Sequence, residues 1–451
     1  MFGVTTADLQ PAGEQMLALA AEMFPWHRSI TGSGLRQTLG RIAQEIPLSL
    51  HEVPSGTAAF DFKIPLEWTI RDAYVANSTG QRMIDYHACN LHVVNNSQGV
   101  RRVMTWNELQ PHLHSLPEKP AWIPYRTAYF RDEWGFCLAH HDREKIAARG
   151  GEQRYTICID AEHRPGSLTY GECFLPGETE EEVLLHAHIC HPSLANDNLS
   201  GIVVAVALVQ ALSLWPRRRY GYRFVFAPAT IGAIAWLSRN AETLPRIRHG
   251  LVLALLGDSR PLTYKRSQQH NATIDWALIH VLSERGQEYR ILDFEPWGYD
   301  ERQFCSPGID LPMGRLSRST EGEYAEYHSS ADNLSLLSAA SLAESLECLL
   351  ATMRLLEDDV VYQNKAPRAE PQLGRRGLYS GFGTIGIDPA LQQAVLWVLN
   401  QSQGTRGLRE IAQRSGISME LIQQASELLL KHDLLRRISH NTTQGRGMHE
   451  A

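Results

Sequence analysis

Val183-Leu-Leu-His186-Ala-His188-Ile-Cys190-His191-Pro-Ser-Leu-Ala-Asn-Asp197-Asn-Leu-Ser-Gly201 is the stretch on which the fold turns. Its opening apolar run reads as a buried strand. Three imidazoles and a carboxylate then crowd into the strand end and the loop behind it. Imidazole nitrogen and carboxylate oxygen are the ligands a divalent cation takes when one coordination position stays open, and strand-end loops are where ligands converge in open α/β sheets. Residues two apart on a strand share a face, so His186 and His188 point the same way, and one of them reads equally well as a hydrogen-bonded core histidine.

Outward from this segment, strand-like and helix-like runs alternate: Arg154-Tyr-Thr-Ile-Cys-Ile, Glu182-Val-Leu-Leu-His, a helical pattern over 201–214, Tyr222-Arg-Phe-Val-Phe-Ala, a helix near 233–240, Leu251-Val-Leu-Ala-Leu-Leu, and a closing helix over 339–356. Such alternation predicts an α/β domain whose mainly parallel sheet is flanked by helices. Two helices joined through Ser29-Ile-Thr-Gly32-Ser-Gly34 precede it. Residues 48–120 hold short β-like runs such as Asp72-Ala-Tyr-Val-Ala and Asn90-Leu-His-Val-Val, punctuated by Pro54, Gly56 and Gly80, and read as a small β-rich inserted domain. The α/β domain is therefore expected over 1–47 and 121–363, a Pro-, Gly- and Arg-rich linker over 364–386, and a winged-helix domain over 387–451. In the last of these, three helical segments are joined in part by the turn Gly416-Ile417-Ser418. Glu420 and Glu427 offset Lys431 on its last helix, so a packing or interaction module is preferred to a DNA reader.

The 451 residues exceed what one core accommodates. A hydrophobic share of 43%, a charged share of 21% and a formal net charge of -7 belong to a soluble globular chain with no general attraction to nucleic acid or to an anionic membrane. No N-terminal targeting pattern is read and no apolar run of bilayer-spanning length, so a cytoplasmic location is expected. Seven scattered cysteines without CxxC spacing are expected to be reduced and mostly buried.

Two further residues fall where an α/β sheet would deliver them to the same rim: Asp258, after the strand ending Leu-Leu-Gly, and His328, in Glu326-Tyr-His328-Ser-Ser. With these in place the chain resembles the zinc-dependent aminopeptidases. More closely, it resembles a bacterial family of aminopeptidase-like proteins that carry the name polysaccharide biosynthesis protein. The closer resemblance runs through Arg28-Ser-Ile-Thr-Gly32, Glu52-Val-Pro-Ser-Gly56, Trp68-Thr-Ile-Arg71, Trp134-Gly-Phe-Cys-Leu and Asp300-Glu301-Arg302-Gln-Phe-Cys-Ser-Pro-Gly. It implies His188, Asp197, Asp258 and His328 as metal ligands, zinc as the cofactor with one tight ion and a weak second site, and hydrolysis of an aminoacyl amide in a peptide or small-molecule conjugate. The expected partner is that small substrate; a homo-oligomer stays open.

The departures are as informative. Co-catalytic aminopeptidases carry adjacent glutamates after the next strand, one as general base and one as ligand, whereas this chain reads Ala227-Pro-Ala229-Thr230. Cys190 stands where an aspartate would orient the first histidine, and it reads as a small buried side chain. Glu326 and Glu301 are the remaining candidates for the general base, each with a competing reading as an ion-pair partner, and Asp300 and Arg302 are expected on a substrate rim. The alternative to a hydrolase is a scaffold that has lost peptidase chemistry and serves as a binding component in polysaccharide or secondary-metabolite biosynthesis.

Overall fold

The computed structural model describes residues 9–151, 153–378 and 388–438, and the chain divides into two compact units, Met1–Thr352 and Met353–Ala451. At the centre of the first lies the strand Glu182–His188, every residue of it buried. A strand covered on both faces has no need of polar alternation, which is why Val183-Leu-Leu reads as a continuous apolar run. It pairs in parallel with Gly221–Ala227 on one side and Ile247–Leu253 on the other, and the latter pairs in parallel with Met313–Ser317. Antiparallel partners extend both flanks: Ser167–Leu175 and then Ser49–Pro54 beyond Gly221–Ala227, and Leu262–Lys265 beyond Met313–Ser317, with Tyr289–Leu292 parallel to Leu262–Lys265 at the edge. The sheet is thus mixed and mainly parallel, with eight strands.

The helix Gly201–Ser213 follows the central strand and is apolar nearly all round. Among the described residues, Ala195–Ser213 is the one helical stretch long and apolar enough to cross a membrane, and 89% of its apolar window is buried inside the fold. It is a core helix, as an element apolar on every side must be in a packed domain.

The β-rich insertion differs in its limits from the sequence expectation. Its four-stranded sheet runs in the order Arg82–Asp85, Glu67–Ala76, Arg154–Arg164, Val100–Thr105, so its longest strand comes from well beyond residue 120, while Ser49–Pro54 belongs to the main sheet. Period-2 patterning identifies a strand but not the sheet it joins. Asn90-Leu-His-Val-Val is a short 3₁₀ turn over Asn90–His92, followed by a single bridge from Val93 to Phe136.

In the second unit, the helices Pro389–Gln401, Leu408–Ser415 and Met419–Lys431 match the expected pattern. Gly416 takes the left-handed conformation that stops one helix (φ 68°), and the Ser418 hydroxyl accepts from Leu421 N to start the next. A three-stranded antiparallel sheet completes it, with Val361–Asn364 in the middle between Gln403–Gly407 and Leu435–Arg437. The expected linker therefore begins inside a strand; its residues 379–386, like 387 and 439–451 of the expected winged-helix domain, lie outside the described residues. All seven cysteines are free, and all but Cys89 are buried.

Candidate metal centre

The motif after the central strand works by dividing labour among neighbours. Asn198 Nδ2 donates to the Leu253 and His188 carbonyls while its Oδ1 accepts from Leu255 N, Asn196 Oδ1 accepts from Gly257 N, and Ser200 Oγ accepts from Leu256 N. These three side chains stitch the loop to the end of the strand Ile247–Leu253. Gly201 permits the close approach, because a Cβ there would run into the Leu253 carbonyl oxygen and the Asn198 side chain. Asp332 accepts from the backbone N–H groups of Asn196 and Asp197, fixing the turn from the other side. Asp197 alone is left to face the histidines.

Around its carboxylate, His188 Nε2 lies 2.7 Å from Oδ1, and His328 Nε2 and His191 Nε2 lie 3.2 Å and 3.9 Å from Oδ2. One ligand atom each of His188, His191 and Asp197 fall within 4.8 Å of one another, the spread expected of donors that share an ion. Asp197 Oδ2 and His328 Nε2 are both buried and neither makes a hydrogen bond, although they face each other. Buried polar atoms without a partner cost about 1–3 kcal/mol each, so a pair of them converging on one point marks a place for a cation. The donor set of three imidazoles and one carboxylate fits zinc.

Charge supports the same arrangement. Burial pushes the Asp197 carboxyl up, but His191, His188 and His328 outweigh it and hold the group well below the ordinary carboxylate range. Burial pushes His191 down to about 3 against the pull of Asp197, so its imidazole is neutral with a free lone pair. Tyr299 stacks on the His188 ring at 4.8 Å and 16° and fixes its plane, in place of an orienting carboxylate; His188 Nδ1 has no hydrogen-bond partner. Cys190 sits in the core, its thiol pushed up to about 12 by burial, as befits a small apolar side chain rather than a ligand.

The structure brings together three of the four residues expected as ligands and replaces the fourth. Asp258 does not reach the cluster: its oxygens accept from Asn196 Nδ2 (2.7 Å), Arg260 N (2.8 Å) and the Ser319 hydroxyl. His191 takes its place. Three imidazoles within six residues were the available signal for His191, which the resemblance did not imply as a ligand.

The carboxylates expected to act on substrate are spoken for. Glu301 is fully buried and accepts from Lys265 Nζ (3.0 Å) and Arg315 (3.2 Å). Asp300 is no rim residue: it is fully buried and pairs with His186 Nε2 at 2.7 Å, which also settles His186 as the hydrogen-bonded core histidine. Arg302 is half-buried, its guanidinium 5.7 Å from the centre of the exposed Trp297 ring. Glu326, a quarter exposed, pairs with Arg260 at 3.2 Å.

Residues 17–359 match a family described as a domain of unknown function (DUF4910), and residues 360–437 match a winged helix-turn-helix family. A Clostridium acetobutylicum protein is 44% identical over 426 residues, which is 94% of this chain and 97% of that one; it is named "Putative polysaccharide biosynthesis protein with aminopeptidase-like domain". The chain belongs to this family. The crystal structure of a "putative peptidase" from Clostridium acetobutylicum superposes with a TM-score of 0.86 at 42% identity, covering 96% of this chain and 98% of that one. A zinc aminopeptidase from Bacillus subtilis shares the fold at 11% identity, with a TM-score of 0.57 over 76% of this chain and 94% of that one. The relative's name and this fold neighbour agree with the expected aminopeptidase-like architecture, and the match over 360–437 agrees with the expected C-terminal winged helix.

Acid should loosen the metal-free protein. His191 and His27 are both held near 3 in the fold, His27 by burial and then by the Arg28 charge. An unfolded histidine titrates near about 6.5, so the unfolded chain takes up protons first, and stability is lost as pH falls from about 6.5 to about 3. The urea midpoint, followed by tryptophan fluorescence, is expected to drop on acidification over this window, and to drop less in His191→Gln.

Proposed function

We propose that this protein is a zinc-dependent hydrolase of aminopeptidase type that cleaves an aminoacyl amide in a small conjugate, using one metal ion held by His188, His191, Asp197 and His328. The observation that carries the reading is the pair of unpartnered buried atoms, Asp197 Oδ2 and His328 Nε2, converging 3.2 Å apart. Zinc bound there would supply a Lewis acid and a water of lowered pKa. The chain's own contribution is orientation: Asp332 and the Asn196–Ser200 side chains hold Asp197 in place, Tyr299 holds His188, and burial keeps His191 neutral. Asp258, occupied elsewhere, leaves no carboxylate for the second ion, so a single ion is assigned. For proton transfer, Glu326 remains of the two expected candidates, a quarter exposed, 3.2 Å from Arg260 and two residues from His328; Glu301 is excluded by its clamp of buried cations.

A second reading is favoured by one observation: Ala229 and Thr230 stand where co-catalytic aminopeptidases carry their glutamates, so the fold serves as a binding component in polysaccharide biosynthesis, the process its relative is named for. A panel of aminoacyl p-nitroanilides and aminoacyl-sugar amides, assayed with zinc, cobalt and manganese, separates the two. Metal-dependent turnover that disappears in His188→Ala supports the hydrolase. Stoichiometric zinc with no turnover across the panel supports the scaffold.

A further inference from the structure

A cavity of about 440 Å³ lies in the first unit, between the end of the first helix, the Tyr86–Leu91 segment of the β-rich insertion, and the two loops that carry the metal ligands. Its volume is in the range of about 300–1,000 Å³ where small-molecule sites are found. Ser193 and Ser330 line it, and each lies two residues along the chain from a ligand, His191 and His328. The cavity is therefore walled in part by the two loops that carry His191 and His328.

The lining chemistry selects the ligand. No Asp, Glu, Lys or Arg contributes to the wall; of its two imidazoles, His27 is neutral because burial and the neighbouring Arg28 charge push it down to about 3, and His87 faces Asp72 at 3.3 Å. An anion or a cation would thus find no unengaged charge on the wall. The wall is nonetheless polar. Tyr86 Oη and His27 Nδ1 are hydrogen-bonded at 2.8 Å, Ser193 Oγ donates to Phe24 O and retains its lone pairs, and Ser330 Oγ accepts from Ile123 N and retains its proton. Asn90 donates to Pro25 O through Nδ2, while its Oδ1 is buried with no partner. An unpartnered buried acceptor, hydroxyls with capacity to spare and aromatic rings at Phe24 and Tyr86 suit a neutral molecule that offers hydroxyl donors along its rim and a flat C–H face.

We infer that this cavity is a sugar-binding subsite, with Asn90 Oδ1 accepting from a sugar hydroxyl, and that the molecule cleaved at the centre is a neutral glycoside carrying the aminoacyl group. The second clause rests on the hydrolase reading; the first does not. Cys89 lines the cavity and is the one cysteine that is not buried, which gives a built-in reporter. Alkylation of Cys89 by iodoacetamide, read by peptide mass spectrometry on the zinc-loaded full chain, is expected to slow several-fold with saturating glucose, galactose or N-acetylglucosamine and to be unchanged by succinate at the same concentration. Calorimetric titration of the same sugars gives the outcome should the thiol react slowly. Asn90→Asp, which keeps the shape and adds a charge, is expected to abolish both signals with an unchanged urea midpoint and zinc content. Failure of all three sugars to protect or to give heat, equal protection by succinate, or full protection in Asn90→Asp would each overturn the subsite. Loss of zinc binding with sugar protection intact would instead sink the hydrolase and leave the subsite standing.

Discussion

Asp197→Ala, purified from zinc-supplemented medium, is expected to retain almost none of the one zinc per chain expected of the native protein. A four-ligand zinc site contributes about 10–16 kcal/mol of binding free energy, so one ligand accounts for about 3 kcal/mol, or roughly a hundredfold in affinity. Asp197 should exceed that share, because His188, His191 and His328 all converge on its carboxylate, so its removal also takes away the group that organises the other three. His191→Ala should weaken zinc by the single-ligand factor. Asp258→Asn should leave zinc untouched, since its oxygens are occupied by Asn196, Arg260 and Ser319. Inductively coupled plasma measurements on the three variants check the ligand set; full occupancy in Asp197→Ala, or loss of zinc in Asp258→Asn, would sink it.

Glu301→Ala is expected to do the reverse: a large loss of stability with zinc stoichiometry intact. Lys265 and Arg315 are almost entirely buried and both rest on the same Glu301 oxygen. Removing one partner of a buried ion pair costs about 3–5 kcal/mol, because the surviving charge is left in a medium that cannot solvate it. Here two cations lose that partner, although Arg315 keeps Glu321 at 2.7 Å, so the upper part of the range is expected. Urea denaturation of the first transition measures it, and a variant as stable as the native chain would refute the clamp.

The metal loop was legible in the sequence because its information is local. A strand buried on both faces writes itself as Val183-Leu-Leu, and the polar side chains of Asn196, Asn198 and Ser200 reach backbone groups one strand away. His188, Asp197 and His328, which the resemblance implied as ligands, do lie together in the structure. What could not be read is which distant charge a carboxylate meets. Asp258, Asp300 and Glu301 all sit where a site carboxylate would sit, and a strand-end or helix-start position looks identical in sequence whether the oxygen faces a ligand or a buried cation, imidazole or hydroxyl from another segment. The limits of the β-rich insertion failed similarly, since Arg154–Arg164 declares itself a strand but not the sheet it completes.

The middle strand of the second unit, Val361–Asn364, comes first in the chain, while one of the strands that flank it, Leu435–Arg437, comes last. On the ribosome this strand must wait with one edge bare until all of residues 365–434 have been made. Completion of this unit is thereby held back until its last strand has been made, and a chain broken off before it would display an unpaired edge open to association with its neighbours.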